Sequence, residues 1–102
     1  MDSKEFYGIV KAEGLDKYNI GDSEESRGMA NVIGVAEDSN GWVVFETDER
    51  AQYHVISKHS SEGECLEALL EELRDKKRVE DIMKKLKKMR GGRSREHAGT
   101  QQ

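Results

Sequence analysis

The chain has 102 residues, 37% of them charged, with no proline and only 20 residues that are Leu, Ile, Val or Phe. That length fits one small domain, since domains usually run to roughly 100–150 residues, and it leaves little room for both a core and a walled pocket of ~300 Å³ or more. The net charge of −4 hides a partition: residues 1–75 carry seven Lys/Arg against eighteen Asp/Glu, a net of −11, and residues 76–102 carry ten against three, a net of +7.

Two surfaces of opposite sign imply two kinds of partner. An acidic body repels nucleic acid and anionic membranes and attracts basic proteins, and a basic end does the reverse. High charge on a small domain also serves solubility alone. No apolar run approaches the ~18 residues of a membrane span, and Met1-Asp2-Ser3-Lys4-Glu5 lacks the character of a signal peptide. The single cysteine excludes an internal disulfide, so a cytoplasmic setting is expected.

Residues 3–13 place Phe6, Ile9 and Val10 at i, i+3, i+4, which predicts a short amphipathic helix. Gly14 followed by Leu15 fits its end, with glycine in the left-handed position and leucine packing back. A brief strand is expected around Tyr18 and Ile20. The stretch from Asp22 to Ser26 is too polar to be buried and reads as an acidic loop.

Residues 29–37 read as a strand, and Asn40-Gly41 as the hairpin turn that follows it. Trp42-Val43-Val44-Phe45 is the most strand-like stretch of the chain. Thr47 to Arg50 makes a second turn, and Tyr53 to Ile56 a third strand. Trp42 and Val44 point to one face and Val43 and Phe45 to the other, so both faces of this strand need cover. Gly28 and Gly34 are isolated and read as strand features.

Ser61-x-x-Glu64 matches a capping box, and the helix it opens carries Leu66, Leu69, Leu70 and Leu73 on one stripe. A second apolar set follows at Val79, Ile82, Met83 and Leu86. At ~100° per residue the two stripes are rotated by about 150°, so one straight helix cannot bury both against one sheet. Either the chain breaks near Asp75-Lys76-Lys77-Arg78, or the helix runs on and offers its second stripe elsewhere. That second stripe is a candidate homo-oligomer seam. Beyond Gly91-Gly92 the composition predicts disorder. Three parts are therefore expected: an acidic α+β domain (1–75), a basic amphipathic extension (76–90) and a disordered tail (91–102).

Catalytic or metal chemistry finds no foothold in these residues. His54, His59 and Cys65 match no compact zinc spacing, and structural zinc takes four ligands. Cys65 sits among Glu62, Glu64 and Glu67, which oppose a thiolate, so a small buried hydrophobe is the better reading. Glu46, Asp48 and Glu49 lie in a turn, where carboxylates stay solvated, whereas an acid/base pair needs burial to separate its pKa values. There is no phosphate-binding glycine motif. No enzyme activity, cofactor or metal is expected. Lys84-Lys85-x-Lys87-Lys88-x-Arg90 could grip phosphates, but no aromatic interleaves it for base stacking, and its lysines also suit the wet side of a packed helix.

The run Asn31-Val32-Ile33-Gly34-Val35, the hairpin from Asn40-Gly41-Trp42 to Glu46-Thr47-Asp48-Glu49-Arg50, and the serine-initiated helix with paired leucines resemble one family. They are similar to the small immunity proteins of bacterial polymorphic toxin systems, and specifically to the immunity protein 59 family. The resemblance spans roughly residues 15–75 and rests on Gly41, Trp42, Glu46, Asp48, Glu49 and Arg50. It implies a small α+β domain that binds and blocks a cognate toxin, with no catalytic residues to carry over. The basic stretch 76–102 has no counterpart in it.

The expected fold is α+β: an N-terminal helix, a three- to four-stranded antiparallel meander, and a capped helix across it with a basic extension. The expected function is neutralisation of a toxin domain, such as a basic nuclease, through an acidic surface. Because turns display charge, the expected contacts are Asp22, Glu24 and Glu25 in the acidic loop and Glu37, Asp38, Asp48 and Glu49 at the turns. Arg50 is either a contact or the partner of a neighbouring carboxylate. The rival function is a nucleic-acid-associated or self-associating regulator working through Val79 to Arg90, although nucleic acid is the disfavoured partner and a membrane is not expected.

Overall fold

A computed structural model describes residues 1–21 and 24–98, the side chains of Glu24 and of residues 90–98 excepted. Helix α1 covers Ser3–Ala12, and the Asp2 carboxylate ahead of it accepts from the Glu5 N–H at 2.8 Å. That bond satisfies a donor which the first helical turn leaves free. Phe6 and Val10, one turn apart, are buried. Gly14 ends the helix at φ +70°, and the buried Leu15 opens a 3-10 turn, Leu15–Lys17.

Four strands follow, β1 (Ile20–Gly21), β2 (Ile33–Asp38), β3 (Gly41–Thr47) and β4 (Tyr53–His59), in the order β1-β2-β3-β4. Strands β2, β3 and β4 form the expected antiparallel meander. Strand β1 runs parallel to β2, so the sheet is mixed and the all-antiparallel expectation fails there. The reason lies in the connection. A tight turn can only return a strand antiparallel, whereas residues 22–32 are long enough to cross back to the starting end of the sheet.

That crossing carries a 3-10 helix, Glu24–Gly28, and Gly28 ends it rather than lying in a strand. Here too the acidic-loop expectation needs correcting, because Ser26 is buried. The fit is close at two glycines. A Cβ on Gly34 would lie 1.9 Å from the Gly21 carbonyl oxygen, and one on Gly21 would lie 2.5 Å from Ser26 Oγ. No larger residue fits where this short parallel pair meets the crossing.

The β2–β3 hairpin centres on Ser39-Asn40, since Asp38 pairs with Gly41. Asn-Gly therefore straddles the end of the loop, and Gly41 takes φ +131°. Asp38 Oδ1 accepts from the Asn40 N–H at 2.8 Å and closes the turn.

Strand β3 is covered on both faces, as its sequence requires. On one face Ile33, Val35 and Val44 pack with Phe6, Val10 and Leu15 and with Cys65, Leu66, Leu69, Leu70 and Leu73 of the last helix. On the other, Val32, Ala36, Val43 and Phe45 form a smaller core. The crossing closes over this second face. Thr47 Oγ1 donates to the Met29 carbonyl at 2.5 Å and accepts from the Val32 N–H at 2.9 Å. Tyr53 stacks on Phe45 with ring centroids 5.3 Å apart, and Arg27 lies over the Tyr53 ring.

Helix α2 is one continuous element, Glu62–Ala98. Ser61 Oγ accepts from the Glu64 N–H at 3.3 Å, while the Glu64 carboxylate takes the Ser60 hydroxyl at 2.7 Å. The chain does not break at Asp75–Arg78. Residues 91–98 continue the helix, contrary to the expected tail from Gly91. A glycine costs about 1 kcal/mol against alanine in a helix but does not forbid it, and adding residues to a formed helix is easier than starting one. Residues 99–102 of the expected tail lie outside the described residues.

Candidate binding surfaces

Thirty-seven helical residues at ~1.5 Å each reach well past a small sheet, and the molecule extends 61 Å along its longest axis. The N-terminal part of α2 is held by the leucine stripe, with Leu69 and Leu73 fully buried. Its middle is held by ions. Arg74 grips Glu13 with two bonds, Nε to Oε1 at 2.8 Å and Nη2 to Oε2 at 2.5 Å. Lys77 Nζ donates to the Glu13 carbonyl at 2.8 Å. One turn later Glu80 Oε1 takes the Tyr18 hydroxyl at 2.6 Å and Lys17 Nζ at 2.9 Å, and Lys76 lies 3.5 Å from Glu46 Oε2.

These contacts set the local electrostatics. The Arg74 hydrogen bonds hold the Glu13 carboxyl below the usual range, and Tyr18 and Lys17 do the same for Glu80. Burial, with the bond to Glu80, pushes the Tyr18 hydroxyl up. Burial pushes the Cys65 thiol up to about 11, with Glu62 adding to it. Cys65 is fully buried in the main core, the small hydrophobe that its sequence position predicts. Among the described residues no group of His, Cys, Asp and Glu is placed to hold a metal.

The acidic contacts expected from the sequence do not converge on one patch. Glu37 and Asp38 stand at the β2–β3 end of the sheet, and Asp48, Glu49 and Arg50 at the β3–β4 end, a strand length away. Glu25 is exposed on the 3-10 helix of the crossing, Asp22 lies outside the described residues, and so does the side chain of Glu24.

The structure also divides these residues by task. Asp38 closes its own hairpin. Asp48 Oδ1 accepts from the N–H groups of Arg50 and Gln52, both at 2.9 Å, which lowers its pKa, and His54 Nε2 stands 3.9 Å from Oδ2. These two aspartates shape turns. Glu25, Glu37, Glu49 and Arg50 are exposed, as is Asp38, but Asp38 commits a carboxylate oxygen to its own turn.

Sequence reasoning missed Arg27. Its Nη2 donates to the Glu37 carbonyl at 3.0 Å, and its Nε is buried. It lines a cleft of about 520 Å³ bounded by Phe6, Tyr7, Trp42 and Leu66. A basic residue in an acidic stretch was the available signal, but only the fold brings it against the β2 edge.

From Val79 onward the helix has a different environment. Val79, Ile82, Met83, Leu86 and Met89 are between 43% and 59% exposed, so the second apolar stripe is not used by this chain's own core. Lys84, Lys85, Lys87 and Lys88 are exposed around it. No helix among the described residues is long and apolar enough to cross a membrane. No protein-family model matches this chain, and no curated protein or solved structure matches it at a significant level.

Proposed function

We propose that this chain is a binding protein whose acidic body engages a basic protein, and that the partner is a toxin domain which it neutralises. The observation that carries the reading is the net of −11 on residues 1–75, carried on a body whose sheet has a core on both faces. A body of that net charge attracts a basic partner from a distance and speeds its capture, whichever face makes the contact. The resemblance of the Gly41–Arg50 hairpin to immunity proteins favours a toxin as that partner.

Co-expression with toxin domains encoded beside this gene tests the proposal. Protection of cells by the wild-type chain supports it, and unchanged cell death with every neighbouring toxin refutes it. The displayed carboxylates offer the finer test. Replacing Glu25, Glu37 and Glu49 together with lysine should slow association, weaken protection and leave the fold intact. Raising salt should slow association far more than it speeds dissociation.

The exposed lysines of α2 favour a second reading, a regulator that holds nucleic acid through the basic arm. Strong, salt-dependent binding to duplex DNA or RNA, lost when Lys84, Lys85, Lys87 and Lys88 become glutamine, would support it over the toxin reading.

A further inference from the structure

The outer part of α2 carries an apolar stripe with a defined period. Val79, Ile82, Leu86 and Met89 follow the three-and-four spacing of a coiled-coil seam, with Met83 beside it. All five side chains are at least 43% exposed. The described residues do not cover them, because Lys77 and Glu80 turn the other side of the helix toward the end of α1 and the Leu15–Lys17 turn. A row of five large apolar side chains left in water on one helix face is the usual mark of a docking surface.

Charge decides what docks there. At ~100° per residue, Lys76 falls on one shoulder of the stripe, with Lys87 and Glu80 sharing the position behind it, and Arg78 and Lys85 fall on the other; Glu80 is already paired with Lys17. Lys76 is paired with Glu46 and Arg78 with Asp75. Lys85 and Lys87 are exposed, and among the described residues neither takes part in an ion pair. Both shoulders are therefore basic. A second copy of this chain in a two-fold pairing would set one basic shoulder against another, which such seams avoid. An anionic partner meets the opposite situation, because each free lysine gains a carboxylate.

We propose that the segment Val79–Met89 docks an acidic amphipathic helix of another protein, with apolar residues in the seam and Glu or Asp on its shoulders. The surface is separate from the acidic body and has the opposite preference, so one chain joins a basic partner at its sheet and an acidic one at its arm. The exposed seam is only about two heptads long. The complex is accordingly a weak and reversible one, strengthened where the acidic partner is itself held near the body.

The full-length chain can be titrated with three labelled 21-residue peptides by fluorescence anisotropy. One has leucine at the seam positions and glutamate on the shoulders, one has lysine on the shoulders, and one scrambles the first at constant charge. The proposal expects the glutamate peptide to bind at least tenfold more tightly than either of the others. Ile82→Asp should weaken it at least tenfold while circular dichroism shows an unchanged fold. Lys85→Glu with Lys87→Glu should reverse the preference between the glutamate and lysine peptides. Equal binding of the scrambled peptide would reduce the effect to charge and overturn the proposal. So would a stable dimer of the chain alone that Ile82→Asp dissociates, because the seam would then belong to a second copy. Binding to vesicles containing phosphatidylserine without binding to the glutamate peptide would overturn it as well, in favour of a lipid surface.

Discussion

The two ends of helix α2 obey the same helical rules and meet different environments. Between Cys65 and Leu73 the apolar stripe is buried against the sheet, and Leu69 has no exposed surface at all. Between Val79 and Met89 a stripe of similar content stays in water. The difference is one of rotation and reach rather than of hydrophobicity. The sheet is too short to follow the helix: Val79 reaches the cleft beside Ile33 and Thr47, and the rest of the second stripe stays exposed. A hydrophobic pattern therefore identifies a surface that wants a partner, while the geometry decides whether the partner is internal.

The strongest way to break this comparison is to place a charge in each stripe. Leu69→Asp should abolish cooperative unfolding, because an unpaired buried carboxylate is among the costliest substitutions. The milder Leu69→Ala should cost about 2–5 kcal/mol in urea denaturation. A folded, cooperative Leu69→Asp variant would show that the inner stripe is not core.

Gly34→Ala comes next. The added methyl meets the Gly21 carbonyl oxygen, so overpacking of about 1–3 kcal/mol is expected, with loss of hydrogen-exchange protection where β1 joins β2. An unchanged midpoint would mean that β1 contributes nothing to the body.

Acid should loosen the joint between body and arm. The folded-state pKa values of Glu13 and Glu80 are lowered from an ordinary 4.5, so their contribution is present above that value and is lost as pH falls through the lowered ones. The melting temperature of the wild type should exceed that of Glu13→Gln at pH 7, and the gap should close towards pH 3. A gap that widens in acid would contradict the Arg74–Glu13 pairing.

The Cys65 thiol reports on the body without perturbing it. At pH 8 a pKa of about 11 leaves roughly one thiol in a thousand ionised, and burial blocks even that fraction. Alkylation by iodoacetamide should follow unfolding, and rapid labelling of the native chain would show that the inner stripe opens. The smallest effect is expected from Ile82→Asp, the counterpart of Leu69→Asp on the same helix. It should shift stability by no more than about 0.5 kcal/mol.

Much of this fold can be read from local patterns. The α1 period, the left-handed Gly14, the apolar run of β3 and the serine cap of α2 each act within a few residues, so no tertiary information is needed to find them. The mixed sheet was illegible because parallel pairing of β1 depends on where a crossing of residues 22–32 lands. The acidic surface was half legible. Composition located it on residues 1–75, but only hydrogen bonding separates Asp38 and Asp48, which hold turns, from Glu25, Glu37 and Glu49, which are displayed.

By itself the sequence determined the α+β class, the charge partition, and the conflict between the two stripes of α2. Each of these follows from residue order and a helical or strand period alone. Whether α2 breaks or runs on, which stripe is buried, and how Glu13, Lys17 and Tyr18 tie the helix down were decided only by the tertiary structure. Those outcomes depend on the finite size of the sheet and on residues more than sixty positions apart meeting on one of its faces, as Glu13 meets Arg74 and Tyr18 meets Glu80.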